Sequence, residues 1–376
     1  MHCSRCTLHN PRELPQACVR PRVLICSLTH ALSASMGAEL VPQVRGSWIG
    51  NIDVLRRRVR ALTDDYLPQH TADLFDEYNS KIVNFRVLWG DHFITSDEGH
   101  VKHMLTGEGF QHFPKGYWWQ ERFESFLGNG IFNRDGVEWQ MHRQIARPWF
   151  SRERISDFNI FDKYASTTLD HITRFSASQS PFDFQDLAGR FTIDSASDFL
   201  FDSCVNALHG ALPVAGKARV GPKGSTSDDD LGSFAWAFEN IQMQVARRMM
   251  VGNVWPLFEL RHDRTKESNK VVHGWVAPVV ELALREKAAK TNSKRSETFL
   301  GHLVDSTDNA EDIRNQVLNM LLAGRDTTAA LLTFTVYLLS IHPDVMDRLR
   351  AEITSEYGVK GQPAPDSMRK LVYRLY

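Results

Sequence analysis

Cysteine is scarce where a fold could use it. Of 376 residues five are cysteines; Cys3, Cys6, Cys18 and Cys26 crowd the N-terminus, and none follows Cys204. A disulfide framework for the whole fold is excluded, and a reducing compartment suits the main body. An excess of one charge is missing too. The 44 basic residues stand against 45 acidic ones, so no net field favours nucleic acid or an acidic partner. Near the N-terminus no long apolar run occurs. The best uncharged stretch, 23–38, contains Thr29, His30 and several serines and meets Glu39 at once. It is too short and polar for a membrane span of about 20 apolar residues, and it makes a poor signal peptide. Internal repeats are absent.

Aromatic residues, by contrast, are plentiful. The 22 Phe and 9 Trp favour a globular core or an apolar pocket over disorder. The length allows one large domain or two ordinary ones. Residues 1–39 read as an irregular leader, disordered or mis-annotated. Its Cys3-x-x-Cys6-x-x-His9 spacing, with Cys18 nearby, could supply tetrahedral zinc ligands. The segment is short and without periodicity, however, so no metal site is assigned. The basic run Arg56–Arg60 lies beside Trp48, Ile49 and Leu55. It reads either as a face resting on an anionic membrane surface or as a solvated helix face.

Along the main body, 40–51 reads as a loop and 52–78 as a helix. Residues 81–96 alternate around a Gly-Asp pair and suggest a hairpin; a short helix follows from Asp97. Residues 110–132 are dense in aromatics and glycine and read as an irregular apolar wall. Helical periods then dominate over 136–146, 155–176, 187–208, 234–250, 267–289, 310–341 and 343–357. Residues 212–233, with many Gly, Ser and Asp, read as a flexible surface loop. The expected fold class is mainly α, with a small β region near the N-terminus.

One stretch stands out chemically. "LLAGRDTTAA" (Leu321 to Ala330) sets an acid, an arginine and two alcohols at the middle of a long apolar helix. A buried carboxylate is expensive unless paired, and a mid-helix glycine costs about 1 kcal/mol against alanine. Gly324 would allow a ligand close to the backbone. The Thr327 hydroxyl can bond back to the Ala323 carbonyl, loosening the ladder and opening a groove. Asp326 and Thr327 in such a groove could relay protons to a bound oxygen species. The structural alternative is a threonine-kinked core helix whose aspartate meets an arginine. Upstream, Trp139 and Arg143 are four residues apart and share a helical face. Together they could grip a cofactor carboxylate or form an ordinary surface cation–π pair.

With these two segments, the stretches Asp186–Phe201, Val251–Glu259 and His342–Ile353 fall in the order of a known family. From Leu40 to Tyr357 the chain resembles a fungal cytochrome P-450, a haem-thiolate monooxygenase, in wording closest to the alkane and fatty-acid hydroxylase branch. The resemblance implies the cytochrome P-450 fold over 40–376, with the oxygen-binding helix at 310–341. It makes Asp326 and Thr327 the proton-delivering pair. Trp139 and Arg143 would hold a propionate of haem b, while Ala323 and Gly324 face the haem. It places Tyr117, Trp118, Phe123 and Phe126 in a substrate-contacting loop, with Phe234, Trp236, Phe238 and Trp255 roofing the pocket. It further implies dioxygen, electrons from NADPH through a reductase, an apolar substrate, no nucleic acid, and the cytosolic face of the endoplasmic reticulum membrane, although the chain shows no convincing anchor.

The sequence also departs from the family. The family's iron ligand is a cysteine in a Gly-containing loop near the C-terminus; this chain has none after Cys204 and ends at Tyr376. The family's Glu-x-x-Arg pair is absent after the central motif. Glu311 and Arg314 share its spacing but lie upstream of the motif and read as coincidental. The tail "SMRKLVYRLY" resembles the approach to that helix with an internal stretch lost. The expectation is a partial, incomplete domain, inactive as written because the thiolate that drives O–O cleavage is missing. Its origin would be a truncated gene product, a pseudogene translation or a mispredicted gene model. The alternative reading is a non-catalytic remnant keeping a helical scaffold without haem.

Overall fold

A computed structural model describes residues 32–63, 66–88, 90–150, 158–214, 216–229, 232–289, 298–358 and 361. The cysteine cluster of the leader lies outside these residues. Along them run α1 (Ile52–Thr63), α2 (Leu67–Glu77), β1 (Ile82–Asn84), β2 (Phe93–Thr95), α3 (Glu98–Leu105), α4 (Gly116–Leu127), α5 (Gly136–Ala146), α6 (Asn159–Ala177), α7 (Phe184–Phe201), β3 (Arg219–Val220), β4 (Thr226–Ser227), α8 (Phe234–Val251), α9 (Lys266–Ala289), α10 (Phe299–Ser306), α11 (Ala310–Ile341) and α12 (Pro343–Tyr357). The fold is mainly α. The described strands form two small antiparallel hairpins, β1 with β2 and β3 with β4. No single described helix is long and apolar enough to cross a membrane.

The chain divides into two compact units, 1–114 with 245–263, and 115–244 with 264–376. In the first, Val44, Val54, Leu74, Val83, Phe85 and Val87 make the core. Asn51 fastens the loop before α1 to it. Its amide donates to the Val44 carbonyl (3.2 Å) and the Arg86 carbonyl (2.6 Å), and its oxygen accepts from the Gly46 N–H (3.1 Å).

The second unit is organised by α7 and α11. Most of α7 is buried, including Leu187, Ile193 and Leu200, and it packs along α11. Asn309 caps α11, accepting from the Glu311 and Asp312 N–H groups, and Glu311 and Asp312 suit the positive end of the helix dipole. Ile313, Val317, Leu318, Met320 and Leu321 bury the first half of α11. Beyond the motif, Leu331, Phe334, Tyr337, Leu338 and Ile341 are exposed. α11 and α12 meet at a bend of 108°.

A polar stripe at 312, 316 and 319 of α11 receives the turn after α4. The Asn319 amide donates to the Leu127 carbonyl (3.0 Å) and the Asn315 carbonyl (2.7 Å), while its oxygen accepts from the Phe132 N–H (2.9 Å). Gln316 donates to the Asn129 carbonyl (3.3 Å), and Asn129 donates to Asp312 (3.2 Å). These bonds satisfy a turn whose own backbone pairs poorly.

Three sequence readings are corrected here. Residues 110–132 are not an irregular wall: α4 fills 116–127, bounded by Gly116 (φ +69°) and Gly128 (φ +48°). The aromatic density masked a helical period. The stretch 52–78 is two helices, because Pro68 opens α2, where its missing N–H is harmless. The loop at 212–233 contains the β3–β4 hairpin, closed at Gly221–Gly224 by a 3.0 Å backbone bond with Gly224 at φ +85°.

At Gly130 an added Cβ would stand 1.9 Å from the Asn319 amide nitrogen. Gly130→Ala is expected to lower stability by about 2 kcal/mol through forced repacking. Asn319→Leu should lose about 2–3 kcal/mol by stranding buried backbone groups. Both values are read from denaturant midpoints, and an unchanged midpoint in either variant would refute the role given to the Asn319 bonds.

Candidate functional site

The AGRDTT turn sits where α11 passes from buried to exposed. α11 continues through it as regular helix, so the expected loosening and groove are not seen as a break. The expected back-bond is present: Thr327 Oγ1 donates to the Ala323 carbonyl at 2.8 Å. Ala323 is half-buried, whereas Thr327 and Thr328 are exposed. Gly324 faces α7, where an added Cβ would come within 3.2 Å of Ala196 Cβ. Its small size lets α11 approach α7 closely.

Arg325 is only 4% exposed and holds two carboxylates. One terminal nitrogen pairs with Glu239 of α8, and the other donates to Asp326 at 2.9 Å. Burial alone would pull its pKa down, but Glu239 and Asp326 hold it above the ordinary arginine value. Asp326 also meets Lys223 Nζ at 3.1 Å, and Lys223 donates to Gln242 at 2.9 Å. Burial outweighs Asp326 at Lys223 and draws the ammonium pKa down. The aspartate thus meets an arginine, as the structural alternative requires, and a lysine besides. A cavity of about 450 Å³ opens beside them, lined by Lys223, Glu239, Arg325, Asp326, Phe334 and Tyr337 among others.

Aromatic rings adjoin this cluster. The Arg325 guanidinium lies 5.8 Å from the Phe238 ring. Phe238 packs edge-on against Phe126 (5.3 Å) and stacks on Phe234 (5.6 Å), which meets Trp275 at 5.0 Å. Of the four expected substrate contacts, Phe126 reaches this interior. Tyr117 is 77% exposed, Trp118 lies under the Arg122 guanidinium (4.3 Å), and Phe123 stacks on Trp119 (4.5 Å). Trp236 is half-buried, and Trp255, in the other unit, lies under Arg248 at 4.6 Å.

Trp139 and Arg143 share a face of α5, with the guanidinium 5.5 Å from the indole ring. This is the ordinary cation–π arrangement, with Trp139 half-buried and Arg143 exposed beside buried His142 and Ala146. Glu311 and Arg314 form a pair at 3.4 Å near the start of α11, consistent with a coincidental spacing.

The residues present do not by themselves make a haem-thiolate site. Cys204 is the one described cysteine. It accepts from the Asn206 N–H (3.2 Å) and interacts with the Tyr164 and Asp194 side chains. Burial pushes its thiol pKa up, away from the thiolate that binds metal. No described group of His, Cys, Asp and Glu has metal-binding geometry.

Sequence reasoning missed Lys223 and Glu239. One signal was available: a buried arginine in the motif demands a carboxylate. It missed a second ionic group as well. Arg190 holds Asp186 (2.8 Å) and Asp229 (3.1 Å) and donates to the Ala207 carbonyl (3.0 Å).

Burial pushes the Asp186 carboxyl up to about 6 against the pull of Arg190, with Asp229 and Glu239 adding to the rise, from an ordinary 3.8. Between these values the folded chain binds more protons than the unfolded one. Stability from this group therefore falls as pH rises from about 4 to about 6, by up to about 3 kcal/mol. Asp186→Asn is expected to flatten that slope. Urea midpoints of parent and variant at pH 4 and pH 7 check it; equal slopes would refute it.

Comparisons with known proteins address the family of the chain. A family model described as Cytochrome P450 matches residues 42–374. Cytochrome P450 monooxygenase g430 of a Fusarium species is 32% identical over 360 residues, 92% of this chain and 61% of that protein. Cytochrome P450 52-E3 of Starmerella bombicola is 32% identical over 331 residues, 88% of this chain and 61% of its own length. Cytochrome P450 52A5 of Candida maltosa is 32% identical over 266 residues, 70% and 48% of the two chains. This chain thus spans about three fifths or less of these relatives. On this breadth of match, the chain belongs to the cytochrome P450 family.

Proposed function

We propose that the chain carries the oxygen-activation helix of a haem-dependent monooxygenase, one that inserts an oxygen atom from dioxygen into an apolar substrate such as a long-chain alkane or fatty acid. The observation that carries this reading is the Thr327–Ala323 bond at 2.8 Å beside a carboxylate clamped by two cations. With its proton committed to Ala323, the Thr327 hydroxyl offers lone pairs as an acceptor. Asp326 is the neighbouring group able to take and return a proton. Phe126, Phe234 and Phe238 supply an apolar wall on the Arg325 side. In this reading Trp139 and Arg143 would hold a haem propionate, the haem would supply the oxygen-binding iron, and NADPH would provide electrons through a reductase. Location at the cytosolic face of the endoplasmic reticulum membrane is supported by exposed Trp48, Ile49 and Ile52 beside exposed Arg56, Arg57 and Arg60.

For this chain alone, a second reading has its own support: a helical scaffold without haem. Half-buried Cys204 has its thiol pKa pushed up, away from the thiolate, and the exposed apolar half of α11 favours self-association over solubility. The purified chain is therefore expected to be poorly soluble and to give no reduced carbon monoxide difference band at the family's characteristic Soret wavelength. Such a band, with stoichiometric haem, would overturn the second reading and leave the monooxygenase reading as the account of this chain itself.

A further inference from the structure

We propose that Arg325, which fills the unspecified position of the AGRDTT turn, is a positioning residue that ties the Asp326 carboxylate to Glu239, so that the placement of the acid follows the placement of α8. The proposal rests on the reading of Asp326 as the proton-handling acid, and it adds what controls that acid.

The geometry is unusual for neighbours on a helix. Side chains at i and i+1 do not face each other, yet Arg325 donates to Asp326 at 2.9 Å. The guanidinium is fixed from elsewhere. Glu239 holds its second terminal nitrogen, the Phe238 ring lies 5.8 Å away, and Gly189 leaves it room, since a Cβ there would stand 3.4 Å from that nitrogen. The Arg325 Nε is buried and without a hydrogen-bond partner. A buried donor is ordinarily paired, so the open Nε is a cost of this placement, one that Arg86 and Arg314 also carry. This one satisfies only the two terminal nitrogens that bridge the carboxylates.

The bridge joins the motif to the aromatic interior. Glu239 directly follows Phe238, and Phe238 packs on Phe126. A shift of α8 that moved Phe238 would move Glu239 and with it the guanidinium. The charged groups around Asp326 are Arg325 on its own helix, Lys223 from the β3–β4 turn and Glu239 from α8, with the Asp186–Arg190–Asp229 group beyond. One guanidinium shared by two carboxylates gives a signed expectation. Without Glu239 the guanidinium serves Asp326 alone; without Arg325 the acid keeps only Lys223.

The test is a titration of the full-length chain, kept soluble in mild detergent and labelled with carboxyl-13C aspartate, with the Asp326 signal assigned by its loss in Asp326→Asn. Glu239→Gln is expected to lower the Asp326 midpoint. Arg325→Met is expected to raise it by one pH unit or more, a tenfold change in acidity, and Arg325→Lys by less. A merely structural arginine would not move the midpoint in opposite directions from its two ends. Should Arg325→Met fail to fold by circular dichroism, Arg325→Lys and Glu239→Gln decide by the same signs. Unmoved midpoints, or shifts of one sign, in folded variants overturn the proposal. Failure of the underlying reading is separate: if the matching acid of an active relative proves dispensable for hydroxylation while these titrations shift as stated, the coupling stands and the role of Asp326 falls.

Discussion

A long helix through the middle of a domain must either be apolar all round or have each polar group answered from another element. α11 takes the second course, and the second unit is arranged around the answers. At Asn319 the partner is the turn after α4, whose Leu127 carbonyl and Phe132 N–H have this side chain as partner. At Arg325 it is α8, through Glu239, and at Asp326 it is the β3–β4 turn, through Lys223. α7 supplies small surfaces, Gly189 and Ala196, where α11 approaches most closely. Three polar positions on one helix therefore fix where three other segments can lie.

Much of this was legible in the residues and some could not have been. The bounds of α11 follow from local features, an asparagine cap with two acids behind it and an unbroken 3.6-residue period. The Thr327–Ala323 bond follows from helix geometry alone. The α4 helix was hidden because the density of tyrosine, tryptophan and phenylalanine outweighed the polar stripe at Gln120, Glu121, Glu124 and Ser125, which does carry the helical period. Lys223 and Glu239 lie 103 and 86 residues from their partners Asp326 and Arg325 in the chain. No local pattern encodes such pairs, and a Gly-Pro-Lys-Gly turn reads as loop wherever its lysine goes. The close approach of α7 at Gly324 was hidden for a related reason. A mid-helix glycine signals close approach, but the sequence does not say whether a ligand or another helix approaches.

The functional and structural readings of the motif turn out not to compete at most positions. Trp139 and Arg143 can satisfy one another while remaining able to turn to a carboxylate, because a cation–π contact at an exposed site is worth only about 0.5–1 kcal/mol. Asp326 can be both a partner for Arg325 and a proton carrier, because a paired carboxylate keeps free lone pairs. Thr327 can bond backwards and still accept.

Arg325 is where the two readings separate. Burying a guanidinium with two carboxylates carries a desolvation penalty of several kcal/mol per ion, and apolar replacements of such groups are often neutral or stabilising. Stability is thus a weak reason for an arginine in this turn, where a leucine could pack against Phe238 and leave Glu239 solvated. An arginine instead converts the position of α8 into the position of a charge beside Asp326. Its unsatisfied Nε is a cost of that placement: the side chain is held by its ends, at the expense of the donor between them, because the ends are what join the two helices.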